Sequence, residues 1–121
     1  MLLATWNVNS VRARLEILGT WLAEHRPEVV LLQETKTLDA TFPLEPLEDL
    51  GYNVATLGQK SYNGVAILSK FPFDDVRPGL PTLDARQHPL AQEARYLEAD
   101  IQGVTFASVY VPNGRSPTDP M

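Results

Sequence analysis

The chain has 121 residues, 44% of them hydrophobic and 21% charged, which suits one globular domain burying about two-thirds of its unfolded surface. It has no cysteine, which excludes a disulfide framework and any thiolate-based metal site, and no apolar run approaches the ~20 residues of a membrane span. A formal net charge of -5 argues against non-specific, phosphate-driven nucleic-acid binding, but not against a nuclease whose carboxylates gather around a divalent cation.

The first residues, Met1 to Asn7, lack the basic and long apolar regions of a signal peptide, so a soluble, cytoplasmic protein with no membrane partner is expected. Leu2 to Trp6 reads as a short strand running into Asn7-Val8-Asn9-Ser10. Ser10 is a good N-cap for a helix in which Val11, Leu15, Leu18 and Leu22 recur at helical spacing, ending before Pro27. Val29 to Leu32 is a continuous apolar run, as expected of a strand covered on both faces. It changes abruptly to Gln33-Glu34-Thr35-Lys36, and the polar end of such a strand is where open α/β sheets place ligands.

Leu44 to Leu50 predicts a short helix stopped by Gly51, and Tyr52 to Leu57 alternates as a strand. Gly58 to Gly64 is a polar connection, and Val65 to Ser69 is a second buried strand. Residues 71 to 92 are proline-rich without sustained periodicity and predict a long surface loop. Arg95 to Ile101 and Val104 to Tyr110 both alternate about Gln102-Gly103, which predicts a β-hairpin. The sequence then passes through Val111-Pro112-Asn113-Gly114-Arg115 and ends in what reads as the middle of a loop.

Polar groups collect at strand ends: Asn7 and Asn9, Glu34 and Lys36, Tyr62 and Asn63, Tyr110 and Asn113. A carboxylate with side-chain amides is an oxygen-rich donor set that favours Mg²⁺ or Mn²⁺ over zinc. A nearby tyrosine can donate to a developing oxyanion. Such a set suits phosphoester cleavage. From spacing alone each residue also has a plainer role: Glu34 as a solvated turn residue, Asn7 and Asn9 as turn formers, Tyr110 as core packing, Arg95 as a partner for Glu93. His25 and His88 have no metal-ligand spacing, and there is no Gly-rich phosphate loop or Gly-x-Ser-x-Gly elbow.

Five runs in order carry a resemblance. Trp6-Asn7-Val8-Asn9-Ser10 with Arg12-Ala13-Arg14 is the first, and Leu32-Gln33-Glu34-Thr35-Lys36 the second. Leu50-Gly51-Tyr52-Asn53-Val54 follows, then Gly58-Gln59-Lys60 with Asn63 to Ser69, and finally Tyr110-Val111-Pro112-Asn113-Gly114. Together they resemble the opening of the exonuclease III family of apurinic/apyrimidinic endonucleases, over essentially the whole chain. The resemblance implies an α/β fold, the N-terminal half of a four-layer sandwich of mixed β-sheets, with residues 1–121 forming an incomplete domain. It implies Mg²⁺-dependent cleavage of double-stranded DNA at abasic sites and 3′ ends by a protein monomeric when full length. It places Glu34 and Asn7 at the metal, Tyr110 at the scissile phosphate or leaving group, and Asn113 at the same phosphate. Lys60, Tyr62 and Arg95 become DNA contacts.

The sequence departs from that pattern in one respect. The family's later Asp-x-Asn and Ser-Asp-His motifs, which supply the acid/base aspartate and the histidine, have no counterpart here. The expected consequences are an inactive fragment, a second sheet largely absent, and apolar surface left uncovered. Two rivals stand beside this reading: another phosphodiesterase or phosphatase of the same superfamily, and a non-catalytic half-domain that binds DNA or a partner chain.

Overall fold

The computed structural model describes residues 1–59, 61–79 and 94–111. The opening βαβ unit forms as the sequence implies. β1 (Leu3–Asn7) runs parallel to β2 (Val29–Gln33), from Leu3 opposite Val29 to Asn7 opposite Gln33, and α1 (Leu15–His25) makes the crossover. The helix starts later than a Ser10 cap suggests. Asn9 and Ser10 both take positive φ (47° and 84°), and Ser10 Oγ accepts the Ala13 N–H at 3.2 Å, so the serine caps a separate turn. At the far end Arg26 is left-handed, its N–H donates to Leu22 O, and Pro27 blocks continuation.

β4 (Val65–Ser69) lies antiparallel between β2 and β3 (Asn53–Leu57), giving the order β1-β2-β4-β3. This central position explains the two continuous apolar runs. Val30, Leu32, Ala66 and Leu68 face the helices, where they join Leu18 and Leu22 of α1 and Leu47 of α2 (Leu44–Asp49). Val29, Val65 and Ile67 face the second sheet. Leu32, Ile67 and Leu68 keep no exposed surface, and each such burial contributes about 1.5–3 kcal/mol. Tyr52 closes the helix side: its hydroxyl donates to Pro27 O at 2.6 Å and Lys70 Nζ sits 4.2 Å from its ring centroid.

The second sheet is antiparallel, in the order β5-β6-β7, with β5 at Asp75–Pro78, β6 at Tyr96–Ile101 and β7 at Val104–Val109. Two expectations change here. The second sheet is not largely absent: this chain provides three strands of it, and Leu97, Ala99 and Ile101 complete the core between the sheets. Nor are residues 71 to 92 loop throughout, because Asp75–Pro78 is an edge strand against β6. The hairpin forms as read, with Gln102 and Gly103 both at positive φ (54° and 78°), as a type I′ turn requires. Apolar residues do remain exposed on three of the edge strands, Leu3 on β1, Val76 on β5, and Val104 and Val109 on β7. Among the described residues no helix is long and apolar enough to cross a membrane.

Charge holds β5, which is why no apolar period announces it. Arg77 Nη1 donates to Asp75 Oδ2 at 2.6 Å and Asp100 Oδ2 at 2.9 Å, and Nη2 to Glu98 Oε2 at 2.8 Å and Asp100 Oδ1 at 2.9 Å. The bonds from Arg77, then from the Thr105 hydroxyl, hold the Asp100 carboxyl at about 2, below its ordinary 3.8. A depressed carboxyl contributes stability above its unfolded value and loses it as the pH falls, here between 3.8 and about 2. Arg77→Ala is therefore expected to return Asp100 most of the way to 3.8, read from its carboxyl carbon in an NMR titration. A midpoint still near 2 would mean that Thr105, not Arg77, sets it.

Candidate active site

The chain makes an uncommon turn where β2 ends. Glu34 and Lys36 both adopt left-handed backbone (φ 55° and 56°), a conformation costly for residues other than glycine, on either side of a fully buried Thr35. Backbone bonds from two directions hold it. Ser10 N–H donates to Glu34 O at 2.8 Å and Val11 N–H to Thr35 O at 3.0 Å, while Thr35 N–H reaches Gly64 O at 3.1 Å and Lys36 N–H reaches Asn63 O at 2.9 Å. The Glu34 side chain is thus fixed at its root by the loops after β1 and before β4.

Asn7 ends β1 opposite Gln33, and its Oδ1 accepts the Asn9 N–H at 3.2 Å. That is the plainer turn role, and it leaves the carbonyl oxygen a second lone pair. Lys36 Nζ donates to Asn9 Oδ1 at 2.6 Å and lies 3.9 Å from Glu34 Oε1, so an ammonium group binds the two strand ends together. The sequence ranked Lys36 only as a polar neighbour.

Tyr110 arrives from the other sheet, one residue past β7, with its N–H donating to Arg95 O at 2.8 Å. Its hydroxyl lies within interacting reach of the Glu34 carboxylate. Burial first, then the charge and hydrogen bond of Glu34, push the phenol above its ordinary 10.0, with the Arg95 guanidinium opposing. At neutral pH Tyr110 is therefore a protonated donor aimed at a carboxylate, with a guanidinium nearby. Glu34→Gln should lower the Tyr110 midpoint toward, but not to, 10.0, because burial remains; ¹³Cζ-tyrosine NMR titration reads it, and an unchanged midpoint would remove Glu34 as a cause.

Four of the residues singled out from the sequence thus meet at the same strand ends: Asn7, Glu34, Arg95 and Tyr110. Tyr62 does not join them. It is 70% exposed, on the loop whose Asn63 and Gly64 carbonyls brace the Glu34 turn, and so stands at the rim. Lys60 and Asn113 lie outside the described residues, as do His88 and Arg115. Gln59 was missed: its Oε1 accepts from Asn63 Nδ2 at 3.0 Å and from Ala94 N–H at 2.8 Å, tying that loop to the start of β6.

Among the described residues no group of three or more His, Cys, Asp or Glu gathers to hold a metal. The donors present are one carboxylate and amide oxygens. Such a set fits Mg²⁺ or Mn²⁺, which take one or two protein carboxylates and fill the remaining positions with water and substrate phosphate.

Comparison with known proteins agrees with this geometry. Residues 4–119 match the model of the Endonuclease/Exonuclease/phosphatase family. The chain is 37% identical over 114 residues to exodeoxyribonuclease III of Haemophilus influenzae, covering 93% of this chain and 42% of that protein. It superposes on an AP endonuclease from Archaeoglobus fulgidus with a TM-score of 0.83 and 41% identity, covering 93% and 42% of the two chains. It also superposes on the 3′ phosphatase NExo from Neisseria bound to a product DNA hairpin, with a TM-score of 0.89 and 38% identity over 99% of this chain and 45% of that one. The chain thus spans less than half the length of these relatives. A family match over nearly the whole sequence establishes that the chain belongs to the endonuclease/exonuclease/phosphatase family.

Proposed function

We propose that this chain provides the N-terminal part of a Mg²⁺-dependent DNA repair nuclease of the exodeoxyribonuclease III type, hydrolysing phosphodiesters at abasic sites and 3′ ends of double-stranded DNA. What supports the reading is that Glu34, just past the end of β2, and Tyr110, just past the end of β7, come within interacting reach of each other from different sheets. Glu34 and Asn7 would hold the metal, with Mn²⁺ as a substitute. Bound there, the ion supplies Lewis-acid stabilisation of charge on the phosphate oxygens. Tyr110, kept neutral by its surroundings, donates a hydrogen bond to the scissile phosphate or leaving oxygen, and Asn113 binds the same phosphate. Arg95, with Lys60 and Tyr62 on the rim loop, contacts the DNA backbone. The completed protein works as a monomer in the cytoplasm.

Residues 1–121 contain neither the Asp-x-Asn nor the Ser-Asp-His motif, so within this stretch nothing takes the proton from an attacking water. Alone they are expected not to turn over. The test joins residues 1–121 to the C-terminal part of the Haemophilus influenzae relative and assays abasic duplex, recessed 3′ ends and inositol phosphates, with Mg²⁺ and with chelator. Metal-dependent DNA cleavage by the completed chain and none by residues 1–121 is the expected result. Cleavage of inositol phosphates alone would move the protein to another branch of the family, and salt-sensitive DNA binding without turnover by the completed chain would make it a binding module.

A further inference from the structure

A hydrogen-bonded layer lies directly beneath the site and belongs to none of the roles above. Gln33 Nε2 donates to Thr5 Oγ1 at 3.0 Å and to Ser108 Oγ at 3.1 Å, and also reaches Leu31 O at 3.3 Å. Ser108 keeps no exposed surface, and its hydroxyl donates to Leu32 O at 2.7 Å. Three strands meet in this layer: β1 through Thr5, β2 through Gln33 and Leu32, and β7 through Ser108.

The placement follows the site residue by residue. Thr5 and Asn7 lie on β1 with one residue between them. Gln33 is the residue before Glu34, and Ser108 and Tyr110 are again separated by one residue. Asn7, Glu34 and Tyr110 are thus each preceded, one or two residues earlier in the chain, by a member of the layer. Ser108 and Gln33 bridge the two sheets, and the next contact outward across the same gap is Tyr110 to Glu34. A buried serine among apolar side chains is costly unless its hydroxyl is satisfied, and here it is satisfied only with the sheets at one separation and register.

We infer that Thr5, Gln33 and Ser108 are positioning residues, a polar layer that sets the distance between the Glu34 carboxylate and the Tyr110 hydroxyl and so the geometry offered to the phosphate. The catalytic part of this inference rests on the nuclease reading; the geometric part does not. A layer of this kind touches no substrate, so its loss acts on turnover more than on binding. A misplacement on the order of 1 Å at a reacting centre costs up to about 100-fold in rate.

The test has two arms. In residues 1–121, the ¹³Cζ signal of Tyr110, which reports its hydrogen bond, should shift in Ser108→Ala and, more weakly, in Thr5→Val, a change at an exposed position that leaves the core intact. An unmoved Tyr110 signal in both folded variants overturns the inference, whatever the protein's activity. In the completed chain, Ser108→Ala should lower kcat roughly 10- to 100-fold with KM nearly unchanged, and this penalty should vanish in a Tyr110→Phe background. A penalty that persists with Tyr110→Phe makes Ser108 merely structural. An unsubstituted completed chain without DNA cleavage removes the nuclease reading but not the first arm.

Discussion

Glu34→Ala in a completed chain is expected to lower metal-dependent DNA cleavage by on the order of 10³-fold, with the fold retained. The fold should survive because the turn around Glu34 is held by backbone groups of Ser10, Val11, Asn63 and Gly64, not by the carboxylate. Activity should not survive, because Glu34 is the one carboxylate at the meeting point of Asn7, Arg95 and Tyr110 among the described residues. Glu34→Gln separates charge from shape: it keeps an oxygen at the same place beside Tyr110 but removes the negative charge that a divalent cation needs. Circular dichroism and steady-state cleavage of abasic duplex measure the two sides. Turnover within a few-fold of the unsubstituted chain would move the metal away from Glu34.

The second large effect is on stability. Gly64 sits at φ 94°, and a Cβ there would be driven into Thr35 Oγ1. Thr35 cannot retreat, since it is fully buried and its N–H is bonded to the carbonyl of Gly64 itself. Gly64→Ala therefore combines backbone strain, about 1–3 kcal/mol, with overpacking of similar size, about 1–3 kcal/mol. A total of about 2–6 kcal/mol is a large share of the 5–15 kcal/mol that usually separates folded from unfolded chains. Gly103 provides the control. It is also at positive φ, 78°, but a Cβ there meets nothing within 4 Å, so Gly103→Ala should lose only the strain. Urea midpoints of the two variants measure the difference; equal losses would mean that Thr35 is not confined.

The sequence was informative where one physical signal dominated. Val29 to Leu32 and Val65 to Leu68 are apolar without interruption because both strands lie between the helices and the second sheet, so burial alone revealed them. The hairpin was legible because Gln102-Gly103 satisfies a turn that demands positive φ at both positions. β5 was hidden because its stability comes from Arg77 and three carboxylates, a pairing that leaves no hydrophobic period. Ser10 misled for a different reason: the serine does cap, but it caps a turn that precedes the helix.

The site shows the same division. Glu34 stood out because polarity changes sharply at the end of a buried strand. Its meeting with Tyr110 did not, since pairing across two sheets depends on how the sheets stack and leaves no local pattern. Only resemblance to a family placed those residues together. Gln59, Lys36 and Ser108 were passed over for a related reason: each works through a partner on a distant segment, with Gln59 and Ala94 separated by 35 residues.

The polar layer beneath the site also bears on the order in which the chain folds. The contact between Gln33 and Ser108 closes a segment of 75 residues, whereas the β6–β7 hairpin grows outward from Ile101 and Val104, beside its turn. Loop closure on that scale costs entropy before the contact returns anything, so the two sheets are expected to form before they dock. The Tyr110–Glu34 pair exists only in the docked state. The meeting point of the two sheets is then expected to be the last part of the molecule to become ordered during refolding. In pulse-labelled hydrogen exchange, the Tyr110 amide should gain protection after the amides of the hairpin from which it emerges.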